Sequence, residues 1–492
     1  MPVKTDFIFI VLLSFLILSV GINLPFAGQH DWNTVMYANI ARNHLRYGIL
    51  QTKLGMVTNF GPLLPGESFG YFTHYPPLMP LLVALSFALF GIHHWSARLV
   101  PIISCALLVG FIYKICYKLW GRYTALIAVV VTVLSPILLY YSKIPVHETV
   151  SLGFIGFTIY NYIIWITTSK SRNYWFTVAG LIVSQLTSWS GFYLSAYLPL
   201  HYYATRRHAS HWRPLTLLLI APVIFIAHNL HMYLLVGNKA QTSLLQGLLF
   251  RLNIGTEAQK YQITLSKFLT LQASWIVLYF TRIVVVFSFV WLVKTLFELL
   301  KTHKMSLANS TTILLGVFGF THNLVFRNLA YIHDYMLIYA LPFFAISASV
   351  SLTSFWKWLK QRLPLASVVI IIILFLFATE RIGYVKALLK SGSGNQAVTL
   401  GKTINRISQP NDIILIASTN FMQYLDVFVR YYADRHVTAA DEINPTVLQD
   451  VHYVVIPKNY DTLSLKSKQY LYSNYIPQTT LDGIVFNTTR QP

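Results

Sequence analysis

Acidic residues are scarce in this chain: 16 Asp and Glu among 492 residues, against 37 Lys and Arg. Charged residues of both signs together make up only 11%. An ordinary soluble domain carries roughly 25%, so that class is excluded. Cysteine is scarcer still. Cys105 and Cys116 both lie in or near one apolar run and offer neither a metal-ligand spacing nor a disulfide framework. The signatures of soluble enzymes are missing: there is no G-x-x-x-x-G-K-[ST] phosphate loop, no H-E-x-x-H and no C-x-x-C. Nothing therefore points to ATP as the driver of any chemistry, and the energy must come from an activated substrate or a gradient.

Apolar sequence is abundant instead. Hydrophobic residues make up 55% and aromatics 15%. Runs of about 20 apolar residues, flanked by Lys, Arg or aromatic rings, read as transmembrane helices with Tyr and Trp at the interfaces. The net charge of +21 is better explained by basic cytoplasmic loops facing anionic lipid than by nucleic acid. The N-terminal run lacks a small-residue cleavage site and reads as a retained first span.

The expected spans are Phe7–Leu24, Leu99–Leu119, Tyr123–Tyr141, Thr149–Thr167, Tyr174–Trp189, Phe192–Tyr203, Pro214–Val236, Ile276–Phe297, Leu307–Phe326, Tyr335–Phe355 and Leu365–Tyr384. Lys4 lies on the inside, and alternate connections carry Lys114, Lys118 and Arg122; Lys170 and Arg172; Arg206, Arg207 and Arg213; Lys301 and Lys304; and Lys357, Lys360 and Arg362. These short basic loops fit the cytoplasmic side. Pro76–Gly91 is apolar but short, and if it spanned, every later basic loop would face outward. It reads as an interfacial or re-entrant helix, with Asn33–Tyr47 as a second such helix in the first outer loop.

After Tyr384 the composition changes. Ser391–Gly394 resembles a linker, Ile413–Ser418, His452–Pro457 and Gly483–Asn487 read as strands, and Asn420–Tyr432 as an amphipathic helix. The expected fold is an all-α polytopic membrane bundle of about eleven spans plus interfacial helices, with a small α/β C-terminal domain. Residues 1–384 form the transmembrane part and residues 385–492 the small domain, outside the membrane.

In this topology four clusters share the outer side: His30-Asp31, His74 with Tyr75, His147-Glu148 and His333-Asp334. Each has an ordinary structural explanation as well. Asp31 and Asp334 suit a helix cap, and Glu148 suits a first helical turn, where an acid meets the positive end of the dipole. The histidines suit interface anchors. Arg251, Arg282 and Arg327 are placed to grip a phosphate with two parallel hydrogen bonds or simply to reach the headgroups; Lys53 and Lys143 share that ambiguity. His30, Asp31, His147 and Glu148 could together hold a divalent metal, although no spacing demands one.

The run D-W-N-T-V-M-Y-A-N-I-A-R from Asp31, followed by H-Y-P-P-L-M-P-L-L-V-A-L-S-F-A-L-F-G from His74, A-R-L-V from Ala97, the acid Glu148 and H-D-Y-M-L-I-Y-A-L-P from His333, resembles the GT-C glycosyltransferases of the protein-mannosyltransferase and aminoarabinose-transferase type. The resemblance covers roughly Phe7 to Phe355. It implies a polyprenyl-phosphate-linked sugar donor, an outward cavity in the cytoplasmic membrane and inverting transfer to a lipid, protein or polymer acceptor. Asp31 takes the place of the family's catalytic acid and Glu148 that of its second-loop acid, where Asp is commoner. Trp32 follows Asp31, so the Asp-Glu pair of eukaryotic protein mannosyltransferases is absent. Glycosyl transfer needs a carboxylate for the acceptor proton and cations for the leaving phosphate. Arg251 and Arg327 are candidates for the phosphate, with His333 and Tyr335 as hydrogen-bond donors; His74, Tyr75 and Asp334 are expected to line the cavity. A lipid-linked-sugar flippase or transporter is the alternative. Transporters usually show repeated halves and midplane charges. No repeat is evident here, and the acids sit at span ends.

Overall fold

The computed structural model describes residues 2–205, 212–254, 263–391 and 395–489, without the side chains of residues 2–4 and 424. Arg206 and Arg207 of the expected basic loop, the Lys4 side chain and residues 392–394 of the expected linker lie outside the described residues. The chain divides into two compact units. One comprises residues 1–22 and 73–389, the other residues 23–72 and 390–492.

The first unit is helical. Among the described residues six helices are long and apolar enough to cross a membrane: His94–Trp120, His147–Thr168, Arg213–Val236, Leu265–Thr302, Asp334–Lys360 and Ala366–Lys390. Shorter apolar helices cover Thr5–Leu18, Leu78–Phe90 and Arg122–Val133. The expected span Tyr123–Tyr141 is two helices, Arg122–Val133 and Pro136–Tyr141, because Pro136 lacks the N–H that would continue the first. The helix that was expected from Ile276 starts at Leu265 and bends at Thr281, whose φ is 66°. Helices Lys239–Arg251 and Arg327–Ile332 of this unit went unread, as did Gln396–Ile407 and Leu465–Asn474 of the other. Helices meet closely where a side chain is absent. A Cβ on Gly153 would stand 2.8 Å from the Ser104 carbonyl oxygen, and one on Gly319 would stand 2.5 Å from the Ala340 Cα. Such contacts let helices associate by van der Waals packing where lipid offers no hydrophobic drive.

The second unit holds a five-stranded sheet in the order His436–Ala439, Ile413–Ile416, Tyr453–Pro457, Gly483–Asn487, Pro477–Thr479. The first three strands are parallel, and Gly483–Asn487 pairs antiparallel with both Tyr453–Pro457 and Pro477–Thr479. Leu415, Val454, Ile456, Leu471 and Phe486 form its core. Ser418 caps the helix Thr419–Ala433 by accepting from the Phe421 N–H at 3.2 Å. The strands at Ile413, Tyr453 and Gly483 and this helix match expectation; the strands at His436 and Pro477 were not read from the sequence.

Helix Asp31–Tyr47 belongs to this second unit. Its Arg42 and Arg46 converge on Asp434 at 2.9 and 2.6 Å, and Arg42 also lies 4.1 Å over the Tyr431 ring. Asn39 and Asn43 donate to the carbonyls of Val57, Thr58 and Asn59, fastening the hairpin of Met56–Val57 and Tyr71–Phe72. Burial by itself would raise the Asp434 carboxyl, but Arg42 and then Arg46 outweigh it and hold it below the usual range. A carboxylate depressed in the native state stabilises above its unfolded pKa, and that contribution is lost as pH falls through the native value. Asp434→Asn is expected to cost about 3 kcal/mol at pH 7, since it strands two guanidinium groups. The gap to the parent should narrow in acid. Chemical unfolding across pH, read at the tail unit, checks this; a variant as stable as the parent at pH 7 would refute the ion pair's role.

Candidate functional site

Glu148 is the second residue of helix His147–Thr168 and is 3% exposed. Its neighbours come from three further segments of the same unit. The chain leading into Leu78–Phe90 brings Tyr75, whose hydroxyl interacts with the Glu148 carboxylate. Burial, and then the Glu148 charge, push the Tyr75 phenol well above its ordinary value. The Tyr75 ring stacks on His147 at 4.1 Å and 10°, and His147 Nδ1 lies 2.6 Å from the Thr187 carbonyl. The Trp189 indole donates to the His74 carbonyl at 2.7 Å, fixing this strip of chain from behind.

Arg251 closes the third side from the end of helix Lys239–Arg251. Its guanidinium carbon sits 5.7 Å from the Tyr75 ring centre, and its Nη2 lies 3.4 Å from His74 Nδ1. His74 Nε2 lies 2.8 Å from Ser243 Oγ. Burial, reinforced by Arg251, lowers His74 to about 4. The imidazole is therefore neutral at pH 7, accepting from Arg251 and donating to Ser243. Arg251 is 9% exposed, its Nε has no hydrogen-bond partner, and it makes no ion pair among the described residues. Glu148 lies within its electrostatic reach but not in ion-pair contact. Gly247, one turn earlier, makes room: a Cβ there would stand 2.7 Å from Arg251 Nη1 and 3.2 Å from the His74 ring.

His322 was not singled out from the sequence, where it is one histidine in an apolar run. It is 1% exposed, and neither ring nitrogen has a hydrogen-bond partner among the described residues. Its ring lies edge-on to Tyr339 at 5.6 Å and Tyr193 at 5.9 Å, within electrostatic reach of Arg251.

The remaining expected residues fall elsewhere. Asp334 is buried and accepts from the Tyr141 hydroxyl at 2.8 Å and from the Tyr279 hydroxyl. Tyr335 packs its ring 5.7 Å from Tyr141, and His333 lies 5.2 Å from Tyr335. Arg327 begins the helix Arg327–Ile332, is partly exposed and makes no hydrogen bond or ion pair among the described residues. Asp31 belongs to the other unit. It opens its helix after His30, whose φ is 62°, and its Oδ2 accepts from the Ala27 and Gly28 N–H groups at 3.0 and 2.8 Å. The carboxylate thus holds the incoming loop. Among the described residues no group of three or more His, Cys, Asp or Glu is arranged to hold a metal ion.

Residues 74–231 match the family model described as dolichyl-phosphate-mannose-protein mannosyltransferase. No curated protein matches the chain in sequence. Solved structures match it over nearly its whole length. ArnT from Cupriavidus metallidurans, bound to undecaprenyl phosphate, is 13% identical with a TM-score of 0.65, covering 98% of this chain and 97% of that one. The same protein in the apo state gives 14% and 0.66, covering 99% and 98%. The chain shares the GT-C-like fold of these structures. The archaeal oligosaccharyltransferase AglB from Archaeoglobus fulgidus, in complex with an inhibitory peptide and a dolichol-phosphate, also shares this GT-C fold, at 13% identity and TM-score 0.56, with coverage of 99% and 74%. The matched family segment carries His74, Tyr75, His147 and Glu148, while Arg251 and His322 lie beyond it.

A buried cation without a counter-charge costs stability, so Arg251→Met, which keeps length and removes charge, is expected to stabilise the ligand-free protein by about 1 kcal/mol or more. Gly247→Ala, by crowding the guanidinium, should destabilise by about 1–3 kcal/mol and by less in the Arg251→Met background. Thermal unfolding in detergent reads both. An Arg251→Met protein less stable than the parent would show that the guanidinium is already compensated.

Proposed function

We propose that this protein is a multi-pass glycosyltransferase of the cytoplasmic membrane. It moves a hexose or pentose from a polyprenyl-phosphate-linked donor to a lipid, protein or polymer acceptor at the outer face. In this reading residues 1–384 carry the chemistry, and the domain at 385–492 faces outside with the active site. The observation that carries the proposal is Arg251: a buried guanidinium beside Glu148, with no ion-pair partner among the described residues. It calls for an anion, and a lipid phosphate entering between helices supplies one. The match to a structure bound to undecaprenyl phosphate supports the same reading.

The acceptor oxygen attacks the anomeric carbon while the bond from that carbon to the phosphate oxygen breaks. Asp31 takes the acceptor proton, and attack from the side opposite the leaving group inverts the anomeric centre. The polyprenyl phosphate leaves with the bonding pair, and Arg251 stabilises the charge that grows on it. Neutral His74 keeps the guanidinium aimed. Glu148 and Tyr75 orient the sugar. Arg327, His333 and Tyr335 are the further candidates for the phosphate and Asp334 for the cavity wall, although none of them joins the Arg251 cluster.

Asp31→Asn tests the mechanism cleanly. Both loop N–H bonds go to one carboxylate oxygen, which the amide oxygen can replace while the base is lost. With purified protein, a polyprenyl-phosphate sugar and membrane-extract acceptors, release of polyprenyl phosphate should fall by about 100- to 10,000-fold with donor binding retained. Parental turnover would reject Asp31 as the base. Movement of a fluorescent lipid-linked sugar across vesicles without any acceptor would instead favour the flippase reading.

A further inference from the structure

The second unit holds a cleft of about 320 Å³ at the edge of its sheet. Strand His436–Ala439 is the outermost strand on that side, and its His436 and Thr438 line the cleft. Thr58, Asn59 and Glu67 line it from the loop that joins the hairpin strands Met56–Val57 and Tyr71–Phe72. Arg430 reaches it from helix Thr419–Ala433.

The walls are held in place before anything binds. The Asn59 side chain donates to Glu67 Oε1 at 3.0 Å and to the Ser68 carbonyl at 3.2 Å, and accepts from the Gly70 N–H at 2.7 Å. The Leu64 N–H donates to Glu67 Oε2 at 3.0 Å. His436 Nε2 donates to the Pro62 carbonyl and so ties the loop to the strand. Gly61 permits that approach: its φ is +77°, and a Cβ there would stand 2.8 Å from the Arg435 carbonyl carbon. A preformed cleft saves the ordering cost of binding.

The lining leaves both donors and acceptors unused. Arg430 gives its Nε to Asp426. Both of its Nη groups lack a hydrogen-bond partner among the described residues and stay open to solvent. Nδ1 of His436 is open as well and is an acceptor in the neutral ring. Each Glu67 oxygen takes one N–H and can accept again, and the Thr58 and Thr438 hydroxyls, which donate to the Gly70 and Ile414 carbonyls, can each still accept. A carboxylate opposes an anionic ligand, and a guanidinium opposes a cationic one. An uncharged polyol suits both, because its hydroxyls donate to Glu67 and accept from Arg430 in charge-assisted bonds. Phe60, also in the wall, adds apolar surface for the C–H face of a pyranose ring. The volume is at the lower end of the roughly 300–1,000 Å³ of small-molecule sites, which suits a short stretch of glycan.

We propose that this cleft binds an uncharged sugar of the acceptor, which narrows the acceptor to a glycan. The use made of the bound sugar rests on the glycosyltransferase reading; the binding itself does not. Asn39 and Asn43 of the Asp31 helix donate to the Asn59 carbonyl at 2.9 and 2.8 Å. Asn39 follows Asp31 by eight residues, about 12 Å along the axis at a rise of 1.5 Å per residue. The cleft therefore belongs to the same compact unit as the assigned base, and a short oligosaccharide anchored in it can present its end to Asp31.

An array carrying neutral oligosaccharides, oligosaccharides of uronic acids and Ser/Thr-rich peptides, probed with the full chain in detergent and no donor, tests the binding. Neutral oligosaccharides should be retained over the other two classes. Arg430→Met gives up only a partly exposed pair within one helical turn, so the fold is kept, and retention should weaken about tenfold. Glu67→Gln should weaken it too, with thermal unfolding confirming an intact fold. Retention in Arg430→Met equal to the parent overturns the proposal, as does a preference for uronic acids or peptides, or the retention of no neutral oligosaccharide. Neutral-glycan retention that falls in Arg430→Met, beside parental turnover in Asp31→Asn, would sustain the cleft and reject only the assigned base.

Discussion

A guanidinium held in a low-dielectric interior without an ion-pair partner organises the helical unit. Charge removed from water is costly unless it is paired, and Arg251 is buried with His74 as its hydrogen-bond partner. The residues around it follow from that constraint. Gly247 has no side chain because the guanidinium fills the space one would occupy. His74 is neutral because burial, and then the Arg251 charge 3.4 Å away, disfavour a second cation. Glu148 stays out of ion-pair range. An acid in contact would neutralise Arg251 and remove the reason for an outside anion to enter. On the proposed reading, stability is given up locally so that the site stays receptive to a phosphate, a conflict that functional sites commonly show.

Much of this was legible in the sequence because acids are so few that each one at a span end stands out. Glu148 could be singled out on scarcity, while His74 and Arg251 were named among several histidines and arginines on the outer side of the expected topology, and the small sheet domain showed in its strand runs. What stayed hidden depends on contacts between distant segments. Helix Lys239–Arg251 mixes polar and apolar residues and carries Gly247 in its interior, so it reads as a connection. His322 looks like any histidine in an apolar run until Tyr193 and Tyr339 are placed beside it. Tyr141 and Tyr279 cannot be picked from 31 tyrosines, yet they hold Asp334. The ion pairs from Arg42 and Arg46 to Asp434 join the two ends of the chain within the second unit, and no local pattern could reveal them.

The two acids differ in what surrounds them. Asp31 binds the backbone of the loop that delivers it, through hydrogen bonds from Ala27 and Gly28. Its carboxylate is oriented by main chain, the kind of support that keeps a proton acceptor in place. Glu148 is surrounded by side chains instead: Tyr75, the stacked His147 and the charge of Arg251. On the proposed reading, a group set among rings and hydroxyls orients the sugar and leaves proton transfer to Asp31. The extra methylene of Glu relative to Asp is consistent with that division.

Charge balance adds a last step on the proposed reading. A polyprenyl phosphodiester donor carries one negative charge, and Arg251 supplies one positive charge to meet it. As the anomeric bond breaks, a phosphate monoester forms, and its additional charge needs help that is stronger in the transition state than in the ground state. A second buried cation would bind the product too firmly and slow its exit. Neutral donors do better, because they strengthen as charge grows yet do not hold a dianion by Coulomb attraction. His322, whose ring nitrogens have no hydrogen-bond partner among the described residues, is a group of that kind within reach of Arg251. One cation among neutral rings is therefore better matched to turnover than a cluster of cations would be.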